Sequence, residues 1–520
     1  MIPLLNHIAG WYLRRRYAHI EHFMAHPHEV QQRWLQYFML QGRRTVWGET
    51  FGMNEVNNAT DFSKRLPITD YDAIKEHINR MMYGEPDVLW PGVVEWFAKS
   101  SGTTSDKSKF IPVTPENLEY CHIKGAWDAA SLVYTQRPET QAFAGKMLHM
   151  GGSHQPFAEY PSTNFGDVSA IILAHLPALG RYTYTPSLAD ALLPNTDDKL
   201  QRIANVAVHE DVRAISGAPT WLNVLFRRLL DQTGAENIHE IWPNLELITH
   251  GGMSFTPYRE QFKRFLPSPD FQYWEVYNAS EGYFAVRHQP DDTDDMLLLL
   301  DNGIYYEFLP AAEFDSATPR AITLQEVELG QRYALVVTTN AGLWRYIPGD
   351  TVEFTCLAPY KIKIVGRMRE FINAFGEELM VSDADKAVTE VCRLTQSLVH
   401  HYTVAPIYFS GDKSGGHEWA IEFERQPADL EKFADLLDDT LKQINSDYEA
   451  KRFKNMAMDR LKIHALPTGT FNTWLKRRGK YGLQNKVPRL ANNRKIMDDI
   501  LLLAKELGMG RERENNNLGI

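Results

Sequence analysis

Apolar positions recur along this chain with two different periods, and the change from one to the other marks out its parts. Up to about residue 90 they fall at helical spacing, with aromatic residues and Arg interleaved and Pro67 and Pro91 as punctuation. From about 145 to 375, short apolar runs alternate with longer amphipathic stretches. Residues 169–176, 245–249, 271–276 and 333–339 have the length and composition of strands, and 220–231 reads as a helix among them. Residues 281–301 and 303–308 read as hairpin material, and 361–365 alternates as a strand. Later, Leu430, Phe433, Leu436, Leu437, Leu441 and Ile444 return to helical spacing, and 417–424 alternates again. Strands interleaved with helices predict an α/β fold with a largely parallel sheet. We expect a large N-terminal domain over 1–375 and a small α+β C-terminal domain over 376–520, turning near Gly376-Glu377-Glu378. Residues 511–520 have no apolar face to bury and are expected to fray.

Composition narrows the class. The chain has 520 residues, 44% apolar and 23% charged, which suits two or three globular domains. Its net charge of −11 disfavours nucleic acid as a partner. Cys121, Cys356 and Cys392 are odd in number and far apart, so they form no disulfide framework and suit a reducing, cytoplasmic setting. The basic run Arg14-Arg15-Arg16 follows the apolar start instead of preceding it, the wrong order for a secretory signal, and apolar stretches such as 296–300 are too short to cross a bilayer. A cytoplasmic protein with no membrane partner is expected, with a monomer favoured.

Four segments carry chemistry. Ser100-Ser101-Gly102-Thr103-Thr104-Ser105-Asp106-Lys107-Ser108-Lys109 crowds hydroxyls, a glycine and two lysines into a loop that can offer O–H, N–H and a cation to phosphate oxygens. A solvated Ser/Thr turn is the plain alternative, and Asp106 stands where a Walker loop needs its second glycine. Tyr277-Asn278-Ala279-Ser280-Glu281-Gly282 follows a strand, where a carboxylate can take Mg²⁺ or simply face water. In Trp344-Arg345-Tyr346-Ile347-Pro348-Gly349-Asp350, a tight turn presents Asp350, which can accept both hydroxyls of a ribose or be an ordinary surface residue. Between Trp474 and Lys495 there are eight Lys or Arg and no acid, a solvated basic face or a mobile loop carrying Lys486 to developing negative charge.

The order of these segments, completed by Gly366-Arg367, resembles adenylate-forming enzymes. More closely it resembles the auxin-responsive Gretchen Hagen family of acyl-acid amido synthetases, over about residues 40–495. Ser100–Thr104 with Lys109, Ile111 and Pro112 is similar to that family's first motif, Tyr277 through Glu281 to its second, and Arg345, Tyr346, Gly349 and Asp350 to its third. The resemblance implies a large ATP- and acid-binding domain, with sheets, helices and a β-barrel-like part, and a small swivelling domain. It implies that Ser101, Thr103, Thr104 and Lys109 hold ATP phosphates, with Ser100 and Gly102 in the same loop. Tyr277 and Asn278 would lie against adenine, with Ser280 beside them; Glu281 would take Mg²⁺, and Asp350 the ribose, with Arg345 in its motif. Arg367 would reach the ribose side near the hinge, and Lys486 the α-phosphate. Two departures stand out: Asp106 replaces a glycine, and Asn278-Ala279 replaces small or hydroxyl residues.

The implied reaction activates a small carboxylic acid as its acyl-AMP and passes the acyl group to an amine, an amino acid above all. Lys486, Lys109 and Glu281 carry the charge stabilisation. Coenzyme A as acceptor, phosphoryl transfer releasing ADP, and an inactive carboxylate- or nucleotide-binding relative are the alternatives. Gly151-Gly152-Ser153-His154, 216–219 and His250-Gly251-Gly252-Met253 follow apolar runs and are candidate walls of the acid pocket.

Overall fold

The computed structural model describes the chain except for residues 1, 101–108, 155–158, 177, 194–195, 253–254, 256–258, 290–293, 315, 317, 369–370, 373, 375–376, 378, 408–414, 446–447, 450–451, 453–457, 480–485, 492 and 518–520. It divides into two compact units, Met1–Ile364 and Val365–Ile520.

The first unit opens with helices Ile2–Ala25, Pro27–Gly42 and Tyr71–Met82. The last of these starts where Asp70 accepts a hydrogen bond from Ala73 N (3.1 Å) and buries Ile74, Ile78 and Met81 on one face. Then come β1 (Trp96–Ser100), β2 (Lys109–Val113), β3 (Lys146–Met150), β4 (Asn164–Gly166), β5 (Tyr184–Thr185) and β6 (Val212–Gly217). They are followed by β7 (Leu247–Gly251), β8 (Gln272–Ala279), β9 (Gly282–Arg287), β10 (Met296–Leu298) and β11 (Ile304–Pro310). Finally come β12 (Ile322–Thr323), β13 (Arg332–Thr339), β14 (Asp350–Leu357) and β15 (Tyr360–Arg367).

β1 pairs antiparallel with β2 and parallel with β4. The other strands form one sheet in the order β12-β11-β13-β14-β15-β10-β9-β8-β7-β6-β3-β5. Its character changes at β8. From β5 to β8 the neighbours β3, β6 and β7 are parallel, as expected from the strand–helix alternation. On its other edge β8 pairs antiparallel with β9, which leads into the hairpins.

Residues 245–249, 271–276 and 333–339 lie in β7, β8 and β13, and 220–231 lie in helix Pro219–Thr233. Residues 169–176 do not form the expected strand: Val168–Ala174 is a helix burying Val168, Ala170, Ile171 and Leu173. A short run that is apolar all round carries no period, and its burial on several sides satisfied a helix as well as a strand.

In the second unit β16 (Phe371–Ile372) and β17 (Leu379–Met380) precede helix Val381–Thr395. β18 (Leu398–Ile407) is antiparallel to β19 (Gly416–Arg425), which is parallel to β20 (Asp459–Leu466). Helix Leu430–Ile444 puts Phe433, Leu437 and Leu441 into a core with Trp419 and Leu490. The final helix, Lys495–Asn517, continues through most of the stretch expected to fray.

Gly125, in helix Lys124–Gln136, supports the wall behind β9. A Cβ there would lie 2.4 Å from Cγ of Tyr283, a buried ring on β9. Alanine at an open helical site is more favourable than glycine by about 1 kcal/mol. Here the overlap reverses the sign: Gly125→Ala is expected to destabilise the first unit by about 1–3 kcal/mol, read as a lower midpoint in thermal melts.

Candidate active site

The carboxyl ends of four parallel strands line up. Met150 is opposite Gly217, Gly217 opposite His250, and Gly251 opposite Val276, so the turns after β3, β6, β7 and β8 meet at one edge of the sheet. Ligands of α/β sheets bind at such an edge. The segment expected to hold a nucleotide lies at its end, where the sheet changes character.

At the end of β8 the ladder shifts register between Tyr277 and Asn278. Tyr277 is buried, its ring 4.8 Å from Phe284, and its hydroxyl donates to Asp350 Oδ2 at 2.5 Å. Two residues predicted for one site from separate motifs are therefore in contact. Asn278 Oδ1 lies 3.2 Å from His122 Nδ1. His122 is fully buried in the π-helical turn Leu118–Ile123, and burial pushes its pKa down to about 4, so it is neutral at neutral pH. Ser280 and Glu281 form the tight turn into β9, both largely buried.

The Asp350 turn is held from behind. Arg345 adopts a left-handed backbone, φ +47°, unusual for a non-glycine. Its guanidinium donates to both oxygens of Glu307 (2.8 and 2.9 Å), to Ser63 O (2.7 Å) and to Leu66 O (2.6 Å). Both side chains of the ion pair are about 5% exposed or less. Thr69 adds hydrogen bonds from its N to Arg345 O (2.9 Å) and from its hydroxyl to Trp344 O (2.9 Å). Arg345 was expected in the nucleotide motif; with four of its N–H groups taken by protein acceptors, its place is behind Asp350.

The hydroxyl-rich loop joins β1 to β2. Ser100 is paired with Lys109 across that hairpin, and Ser101, Gly102, Thr103, Thr104 and Asp106 lie outside the described residues, as does the Ser100 side chain. Lys109 Nζ sits 5.7 Å from the centre of the Tyr71 ring, whose hydroxyl accepts from Phe110 N at 3.0 Å. Arg367 ends β15, its side chain outside the described residues, and in the second unit Lys486 is exposed.

Among the candidate pocket turns, His250 is stacked on Phe255 at 4.2 Å, and burial holds its pKa down near 3, so it packs as a neutral ring. The Gly151–Ser153 turn is clamped by two residues not singled out beforehand. Buried Lys199 donates to Gly151 O (3.2 Å), Gly152 O (2.8 Å) and Ser153 Oγ (2.8 Å), and Asp167 Oδ2 accepts from Ser153 N (2.8 Å). Burial lowers the Lys199 pKa to about 8, partly offset by Asp167. Its signal in the sequence was a lysine four residues before Ile203 on the apolar face of Thr196–Ala207. His122 gave no signal in the sequence.

No group of three or more His, Cys, Asp or Glu among the described residues can hold a metal. Glu281, the carboxylate expected to take Mg²⁺, is 6% exposed in the turn into β9. No helix among the described residues is long and apolar enough to cross a membrane.

Comparison with known proteins follows this geometry. The GH3 family N-terminal domain matches residues 16–271, the GH3 family central domain 297–367, and the GH3 family C-terminal domain 382–495. Indole-3-acetic acid-amido synthetase GH3.3 of Arabidopsis thaliana is 23% identical over 92% of each chain. 4-substituted benzoates-glutamate ligase GH3.12, also of Arabidopsis thaliana, is 22% identical over 90% of this chain and 93% of its own. The fold matches GH3.15 acyl acid amido synthetase with a TM-score of 0.78 at 17% identity, covering 95% and 96% of the two chains. It also matches a 2-hydroxyisobutyryl-CoA ligase in the postadenylation state, TM-score 0.59 at 12% identity, covering 92% and 91%.

Removing one partner of a buried ion pair strands the other charge. Glu307→Gln is therefore expected to destabilise the first unit by about 3–5 kcal/mol, measured by denaturant or thermal unfolding.

Proposed function

The chain belongs to the GH3 family, and from that premise we propose that it uses ATP to activate a small carboxylic acid as the acyl adenylate and transfers the acyl group to an amino acid. The observation that carries this reading is the Tyr277–Asp350 hydrogen bond at the carboxyl end of β8. It holds the Asp350 carboxylate against the end of β8, and that carboxylate, an acceptor at both oxygens, is the proposed partner of a ribose diol. The names of the relatives support the acid and amine classes: indole-3-acetic acid for one, 4-substituted benzoates and glutamate for another.

In the first half-reaction a carboxylate oxygen attacks the α-phosphorus, the bond from that phosphorus to the bridging oxygen breaks, and pyrophosphate leaves. Both reactants are anions, so positioning and charge screening dominate. Lys109 and the hydroxyls of 100–104 are the proposed screen for the phosphates, and Lys486 the proposed cation at the α-phosphate. Glu281 would hold Mg²⁺, which when bound neutralises triphosphate charge. Tyr277 and Asn278 flank the adenine in this reading, His122 setting the orientation of the Asn278 amide, and Arg367 serves the ribose side. In the second half-reaction the amine nitrogen attacks the acyl carbon, the bond to AMP breaks, and the amine proton passes to solvent. Neither half needs a nucleophilic side chain.

The test is product analysis with ATP, Mg²⁺ and a panel of indole-acetic and 4-substituted benzoic acids, with and without amino acids. Acid-dependent AMP and pyrophosphate, and an amide only when an amino acid is present, is the expected result. ADP in place of AMP, or a thioester with coenzyme A and no amide with any amine, would overturn it. Asp350→Asn is expected to lower kcat/KM for ATP by about 10–100-fold, the loss of a charge-assisted hydrogen bond worth about 1.5–3 kcal/mol.

A further inference from the structure

Lys486 begins a short segment that is fastened to the second unit at several points. Val404 N donates to Arg489 O (2.7 Å), Ala491 N to Val404 O (3.1 Å), and the Thr403 hydroxyl to Pro488 O (2.7 Å). Val404 and Leu490 form a parallel bridge, so 488–491 lies as a short extra strand on the edge of β18. Leu490 enters the core with Trp419 and Phe433, while Val487 packs on a separate cluster with Phe471 and Trp474. Backbone and apolar contacts thus lay the segment along β18.

One polar contact ties it across to another element. Arg489 donates to Asp385 Oδ2, and the Tyr402 hydroxyl donates to the other oxygen, Oδ1. Asp385 is on helix Val381–Thr395 and its side chain is 4% exposed. The Arg489 guanidinium also lies over the Tyr402 ring, 5.4 Å from its centre. Helix, strand and segment therefore meet at a single carboxylate, with both oxygens engaged. Lys486 stands three positions before Arg489, a reach of about 10 Å at full extension, so the lysine is tethered close to this junction while its own side chain is exposed.

We propose that Asp385 and Arg489 are positioning residues for Lys486. Their ion pair holds the segment against helix Val381–Thr395, so that the lysine is presented on a fixed base instead of a mobile loop. The proposal rests on the reading of Lys486 as the cation at the α-phosphate. An ammonium on a four-carbon stem loses side-chain freedom when it docks, and a fixed backbone keeps that loss from being compounded by loop ordering.

The experiment is acid-dependent ATP–pyrophosphate exchange in the full-length chain, with whichever acid of the indole-acetic and 4-substituted benzoic panel supports AMP formation. Lys486→Ala is expected to lower the exchange rate by about 100-fold or more, and Asp385→Asn by about 10-fold, with KM for ATP within about twofold of the parent. Arg489→Lys, which keeps the charge and loses the planar fork, should fall between the parent and Asp385→Asn and provides a second route should Asp385→Asn fold poorly. The deciding readout is the double variant. If Asp385 acts only through Lys486, adding Asp385→Asn to Lys486→Ala costs no further exchange activity. A tenfold loss multiplying on top of Lys486→Ala would overturn the positioning role alone. An undiminished Lys486→Ala would overturn the reading of Lys486 and, with it, this role.

Discussion

The buried pair between Arg345 and Glu307 is the constraint on which the turn carrying Asp350 in the first unit depends. Taking a guanidinium and a carboxylate out of water is costly, and the cost is offset here by complete engagement: two bonds to the carboxylate and two to backbone carbonyls at the end of the helix Ala59–Arg65. Arg345 also holds a left-handed backbone that few residues tolerate, and such strain persists only where the surroundings over-determine it. Thr69, Trp344 and Tyr346 supply that over-determination through hydrogen bonds on both sides of the turn. The turn in turn delivers Asp350 to Tyr277, and Gly349, at φ +100°, makes the last bend possible.

The second organising feature is β8. A strand with a parallel neighbour on one edge and an antiparallel neighbour on the other belongs to two architectures at once. The parallel half brings the turns after β3, β6 and β7 to one edge. The antiparallel half brings the Asp350 turn alongside from a distant part of the chain. Tyr277 stands where the two halves meet, and the register shift beside it turns Asn278 toward His122. Bulges at such places re-aim side chains, and this one sets the direction of both residues proposed for the adenine.

Much of this was legible in the sequence because it depends on local pattern. β7, β8, β13 and the helix Leu430–Ile444 follow directly from the spacing of apolar residues. The pairing of Tyr277 with Asp350 was legible only through resemblance, since nothing local joins positions seventy-three apart. What escaped is what depends on packing. The run 169–176 is apolar on all sides and so carried no period. Arg345 was expected in the nucleotide motif, and its hold on Glu307 and two backbone carbonyls is a matter of packing that a motif does not show. Lys199 was visible as a charge on an apolar face, but its three acceptors come from a turn nearly fifty residues away. The positions from Ser101 to Asp106 lie outside the described residues, so the proposed phosphate loop is known by its two fixed ends, Ser100 and Lys109.

The contact between Gly125 and Tyr283 has a consequence for descent. The ring occupies the space a side chain at 125 would need, so the two positions are not independent characters. A lineage that enlarges residue 125 first meets a clash, and one that shrinks residue 283 first leaves a void behind the Glu281 turn. Either order passes through a less stable ancestor before the second change restores the fit. The pair is therefore a ratchet: once set, it resists single-step drift, and the surface it supports inherits that resistance.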